Sequence, residues 1–105
     1  MIRRLQIGPR MSQAVIHGDT VYLAGQVAAD PTGDVGSQTR QILDAIDTLL
    51  AEAGSDKTRI LSATIYLADI STFSEMNSVW DAWVPAGHTP ARATVEARLA
   101  APAFK

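Results

Sequence analysis

Apolar side chains alternate with polar ones in short β-prone runs at Ala14 to Ile16 and Thr20 to Ala24, and the intervening His17, Gly18 and Asp19 carry a Gly-Asp pair that signals a hairpin turn. From Ser37 to Ala53 the spacing changes: Ile42, Ala45, Ile46, Leu49, Leu50 and Ala53 recur as on one side of a helix, with Gly54 as its C-terminal cap. The stretch between, Ala28 to Gly36, concentrates the turn formers Asp30, Pro31, Thr32, Gly33 and Asp34, and is expected to be an exposed loop. Arg59 to Ala68 reads as a strand with apolar groups on both faces, Ile60 and Tyr66 opposing Leu61, Ala63, Ile65 and Leu67; such a strand wants cover on both sides. Ser71 is the expected N-cap of a second helix, whose stripe of Phe73, Met76, Val79, Trp80 and Trp83 runs until Pro85 and Gly87 end it. Arg92 to Leu99 then alternates strictly, Ala93, Val95, Ala97 and Leu99 on one face and Arg92, Thr94, Glu96 and Arg98 on the other.

The order strand, hairpin, helix, strand, helix, strand predicts an α+β sheet with both helices on one face. The uncovered face is then expected to pack on other copies of the chain. At 105 residues the chain builds one core, and its seventeen alanines imply close packing of small side chains. No uninterrupted apolar run approaches the length of a membrane span, and the basic N-terminus MIRRLQIGPRM lacks the apolar stretch of a signal peptide, so a cytoplasmic protein is expected. Nine basic residues are scattered under a net charge of −2, which gives no stripe for a nucleic-acid backbone.

With no cysteine, disulfides, thiolate metal sites and cysteine nucleophiles are excluded. His17 and His88 stand 71 positions apart in predicted turns and make no metal-binding pattern, and His88 is read as a solvated turn residue. Gly33 and Gly36 precede the first helix without the lysine of a phosphate loop, so no nucleotide cofactor is expected. Ser12, Ser62 and Ser71 lack the neighbours of a serine nucleophile. Arg92 is what remains: its planar fork suits a small carboxylate, and the competing reading is an arginine solvated at a strand end.

SQAV at Ser12, VYLAGQVA from Val21, QTRQIL and AGS around the first helix, IYLADISTF, MNSVWDAW and PARATVEARLAAP follow one another with spacings that resemble the RidA/YjgF family over nearly the whole chain. The resemblance implies a chorismate-mutase-like mixed sheet with two helices on one face, assembled as a homotrimer with ligand clefts between neighbouring subunits. It implies hydrolysis of reactive 2-enamine and 2-imino acids, such as 2-aminoacrylate and 2-iminopropanoate, to 2-keto acids and ammonia. Arg92 matches the arginine that holds the substrate carboxylate, Thr94 the position whose backbone borders the substrate, and Asn77 a helix asparagine near the cleft; Gly25 joins Thr94 as a source of backbone polarisation. Met11 stands where a ligand-facing tyrosine is usual and Ala24 where serine is frequent. Both losses favour the alternative of a noncatalytic keto-acid-binding or regulatory trimer. An old ribonuclease label on some relatives finds no basic patch or histidine pair here. Relatives also continue into a final strand with a water-positioning glutamate, so a chain either cut short at Lys105 or lacking that group is expected. Glu96 lies about 13 Å along the strand from Arg92, too far to substitute in the same subunit, and is expected in a cross-strand or intersubunit ion pair with an arginine such as Arg98 or Arg40.

Overall fold

The computed structural model describes residues 1–105. The opening strand, β1 (Ile2–Ile7), pairs antiparallel with β2 (Ser12–His17), which pairs antiparallel with β3 (Thr20–Leu23). Gly18 has φ +60°, which fits the first central position of a two-residue hairpin turn and would strain any residue with a Cβ. His17, expected in the turn, is instead the last residue of β2 and pairs with Thr20. The register places Leu5, Ala14 and Leu23 on one face, with Ala14 fully buried, and Arg4, Val15 and Tyr22 on the other.

Helix α1 (Val35–Glu52) starts two residues before the expected Ser37, because the Asp34 carboxylate accepts from the Ser37 N–H at 2.8 Å and caps the helix there. The loop before it is therefore not exposed throughout: Ala28, Val35 and Gly36 are buried. At the other end the Gly54 N–H reaches the Ala51 carbonyl and the Ser55 N–H the Leu50 carbonyl, with Gly54 at φ +79°, the paired bonds of a Schellman cap. Leu43, absent from the expected stripe, is among the most buried residues of α1.

β4 (Ser62–Leu67) is shorter than the Arg59 to Ala68 run, since Lys57–Arg59 forms a 3-10 turn capped by Asp56. A second 3-10 turn, Ile70–Thr72, precedes α2 (Phe73–Trp83). Ser71 is thereby displaced as the N-cap of α2: it lies inside that turn, its N–H donated to the Asp69 carboxylate at 2.9 Å. Asp30, Asp56 and Asp69 all make this local bond to a hydroxyl residue two positions on, and those bonds, to Thr32, Thr58 and Ser71, hold their carboxyls below the ordinary value.

β5 (Ala91–Glu96) runs parallel to β4, with Ala63 opposite Arg92, Ile65 opposite Thr94 and Leu67 opposite Glu96. The strands thus form two ladders, one antiparallel and one parallel. The main core joins Val35 and Leu43 of α1, Met76 and Trp80 of α2 and Leu67 of β4, so both helices cover the same face of β4 and β5. Polar contacts reinforce that layer: Glu75 of α2 accepts from the Gly36 N–H at 2.9 Å, and the Trp83 indole N–H donates to Asp47 at 2.9 Å. Gln38, buried in α1, lies 3.0 to 3.1 Å from the carbonyls of Pro31, Gly33 and Ala103 and accepts from the Lys105 N–H at 3.0 Å, tying the C-terminal residues to the helix.

The opposite face has no cover. Tyr66 is 57% exposed and Val95 42%, and the molecule is only 20 Å across its thin axis, a sheet and one layer of helices.

Candidate functional site

Strand alternation gives β5 two faces, and the tertiary structure turns one of them toward the helices. Arg92 and Thr94 share the helix-facing side with Ala63, Ile65 and Leu67, while Ala93 and Val95 look out on the open face. The reason lies in the neighbours. Ala63 opposite Arg92 leaves volume for a long side chain, and α2 brings polar and aromatic partners over it.

The Arg92 Nη1 donates to Asn77 Oδ1 at 2.7 Å. Its Cζ lies 5.2 Å from the ring centroid of Trp80 and 5.7 Å from that of Phe73, both within the range of a cation–π contact. No carboxylate neutralises it: the one ion pair within the chain is Arg59 with Asp56 at 3.8 Å. A half-buried guanidinium held by a neutral amide and two rings keeps its charge available to an anion. Two positions along β5, Thr94 Oγ1 is buried and has no hydrogen-bond partner.

Of the residues singled out in the sequence, Arg92 and Asn77 are in direct contact and Thr94 shares the strand face of Arg92. Met11, Ala24 and Gly25 lie with the other ladder. Met11 is half exposed just before β2, and its carbonyl accepts from the Gly8 N–H at 2.8 Å. The Ala24 N–H continues the hairpin by donating to the Gln13 carbonyl at 2.9 Å, and Ala24 offers its own carbonyl to the Gln26 amide at 3.1 Å. Gly25 has open space where a Cβ would stand, so packing does not require glycine there. No hydrogen bond links these three residues to Arg92, Asn77 or Thr94 within one chain.

The intrachain form of the ion pair expected of Glu96 is not made. Within the chain Glu96 meets neither Arg98 nor Arg40; its Oε1 accepts from the Ile70 N–H at 3.0 Å, satisfying a donor at the start of the 3-10 turn that β5 brings alongside. A cavity of about 830 Å³ near Glu96 and Arg98, under Pro102 and Phe104, does not include Arg92. Phe73 and Trp80, read from the sequence as packing residues, also flank the Arg92 guanidinium. The signal that would have found them is Asn77, a polar residue set at helical spacing inside an aromatic stripe.

The fold is thus a small α+β domain with an aromatic-flanked arginine, without a carboxylate partner in the chain, near the start of a strand. The chain belongs to the family described as Endoribonuclease L-PSP, whose model matches residues 1–105. It is 46% identical to a RutC family protein of Haemophilus ducreyi over all of this chain and 90% of that one, and 46% identical to the RutC family protein YoaB of Escherichia coli K12 over 99% of this chain and 90% of that one. Among solved structures, NMB1025 of Neisseria meningitidis, a member of the YjgF protein family, superposes with a TM-score of 0.97 at 48% identity, covering all of this chain and 87% of its own.

Proposed function

We propose that the protein hydrolyses reactive 2-enamine and 2-imino acids, such as 2-aminoacrylate and 2-iminopropanoate, to 2-keto acids and ammonia. The observation that carries this reading is Arg92, a half-buried guanidinium with no counter-ion in the chain. The substrate carboxylate pairs with it. Water adds to the imine carbon, the C–N bond breaks, ammonia leaves and the carbonyl remains. Protonated imines react readily with water, so fixing the carboxylate and letting backbone groups near Thr94 and Gly25 polarise the reacting carbon supplies what acceleration is needed. With Met11, Ala24 and Gly25 beside the antiparallel ladder and Arg92 in the parallel one, the complete cleft of this reading is formed between neighbouring copies of a cytoplasmic homotrimer. The nine basic residues are scattered and the histidines are far apart in sequence, which lends no support to cleavage of RNA.

A second reading, keto-acid binding without turnover, is favoured by Met11 and Ala24, which offer no hydroxyl. Imine generated in situ by an amino-acid oxidase, with semicarbazide trapping what survives, separates the two: faster disappearance with the protein present supports hydrolysis, and keto-acid binding without acceleration supports the second. For the anchor itself, Arg92→Ala is expected to weaken calorimetric binding of pyruvate or 2-ketobutyrate by about 2 to 5 kcal/mol, with partial recovery in Arg92→Lys. Unchanged affinity in Arg92→Ala would sink the assignment.

A further inference from the structure

Phe73, Asn77 and Trp80 stand four and three residues apart on α2, one stripe of the helix, and all three meet the guanidinium of Arg92. Trp80 is 8% exposed and belongs to the core, whereas Phe73 at 39% reaches the surface. Resting on the reading of Arg92 as a carboxylate anchor, we propose that this stripe is a positioning device that orients the guanidinium before the ligand arrives and does so without neutralising it.

The chemistry of the contacts supports both halves. A guanidinium offers five N–H donors, and the one bond within the chain uses a single hydrogen on Nη1. The Nε–Nη2 edge keeps both of its hydrogens, and that edge matches the two oxygens of a carboxylate. Rings within cation–π distance restrict the flat group further, and fixing it beforehand lowers the ordering cost that binding would otherwise carry. The holder is an amide rather than a carboxylate, so the positive charge stays free for the ligand. Trp80, being buried, acts through Arg92 and not on the ligand.

Side-chain ¹⁵N relaxation of the Arg92 Nε–H in the ligand-free protein reads the orientation directly, and calorimetry with 2-ketobutyrate reads its consequence. In the wild type the Nε–H is expected to be as ordered as rigid backbone. Asn77→Ala should release it, to an order parameter below about 0.6, and weaken binding about three- to tenfold. Asn77→Asp should leave the guanidinium ordered yet weaken binding by more than about thirtyfold, because an adjacent carboxylate both occupies the charge and repels the anion. Trp80→Phe should keep the order that Trp80→Leu loses. A merely structural role would move melting temperatures without this separation of order from affinity. The proposal is overturned by a mobile Arg92 in the wild type, by order unchanged in Asn77→Ala, or by Asn77→Asp binding as well as wild type. Loss of the anchor reading shows differently: Arg92→Ala would then bind as wild type does, whatever the relaxation data.

Discussion

Thr94 and Arg92 sit two residues apart on the same side of β5 and are treated very differently by their surroundings. The guanidinium finds an amide oxygen and two rings; the hydroxyl finds no partner, although it is buried. A buried hydroxyl without a hydrogen bond costs about 1 to 3 kcal/mol relative to a satisfied one. Valine has the shape of threonine without the polar atom. Thr94→Val is therefore expected to stabilise the protein by about 1 kcal/mol, visible as a rise in melting temperature of about 4 °C or more for a domain of this size. A fall in melting temperature would show that the hydroxyl acquires a partner in the assembled protein. Arg92 itself was legible as a candidate because an arginine opening a strand is chemically conspicuous. Its partners were not, because an aromatic stripe on a helix looks the same in sequence whether it only fills a core or also flanks a cation.

Glu75 shows how one helix governs the start of another. It lies in the first turn of α2, and its carboxylate accepts from the Gly36 N–H in the first turn of α1, a donor that has no partner within its own helix. Removing the carboxylate leaves that N–H part-buried and unpaired, so Glu75→Ala is expected to lower stability by about 1 to 2 kcal/mol. Urea unfolding would report a lower midpoint with an unchanged slope; an unchanged midpoint would mean that water replaces the carboxylate at no cost. The two long helices and both strands of the parallel ladder were readable from periodicity. Their ends were not. Asp34, Asp56 and Asp69 each cap a turn or helix through the N–H of a residue two or three positions on, and those local bonds advanced the start of α1, shortened β4 and moved the start of α2 past Ser71.

The monomer exposes 6875 Å² of surface, where the usual scaling for a monomeric protein of 11.2 kDa gives about 5,700 Å². Its radius of gyration of 14.0 Å likewise exceeds the roughly 13 Å of a compact chain this long. Both excesses belong to a flat molecule whose second sheet face carries Tyr66 and Val95 uncovered. In solution a trimer of about 34 kDa, three times 11.2 kDa, is the expected species. Light scattering at micromolar concentration checks it, and Tyr66→Asp, which places a charge on the open face, should shift the mass toward the single chain. A wild-type monomer would remove the shared cleft from the proposed mechanism.

Periodicity and turn chemistry determined by themselves that this chain is α+β, in which stretches its helices fall, and that Arg92 lies near the start of the last strand. Such properties depend on residues close in sequence, whose spacing maps directly onto a helix turn or a strand face. Only the tertiary structure decided which face of β5 meets the helices, that Asn77, Trp80 and Phe73 converge on Arg92, and that Glu96 accepts from the Ile70 N–H. Alternation marks two faces of a strand but does not say which one lies inward: for β5 that choice fell to the room beside Ala63 and the partners carried by α2.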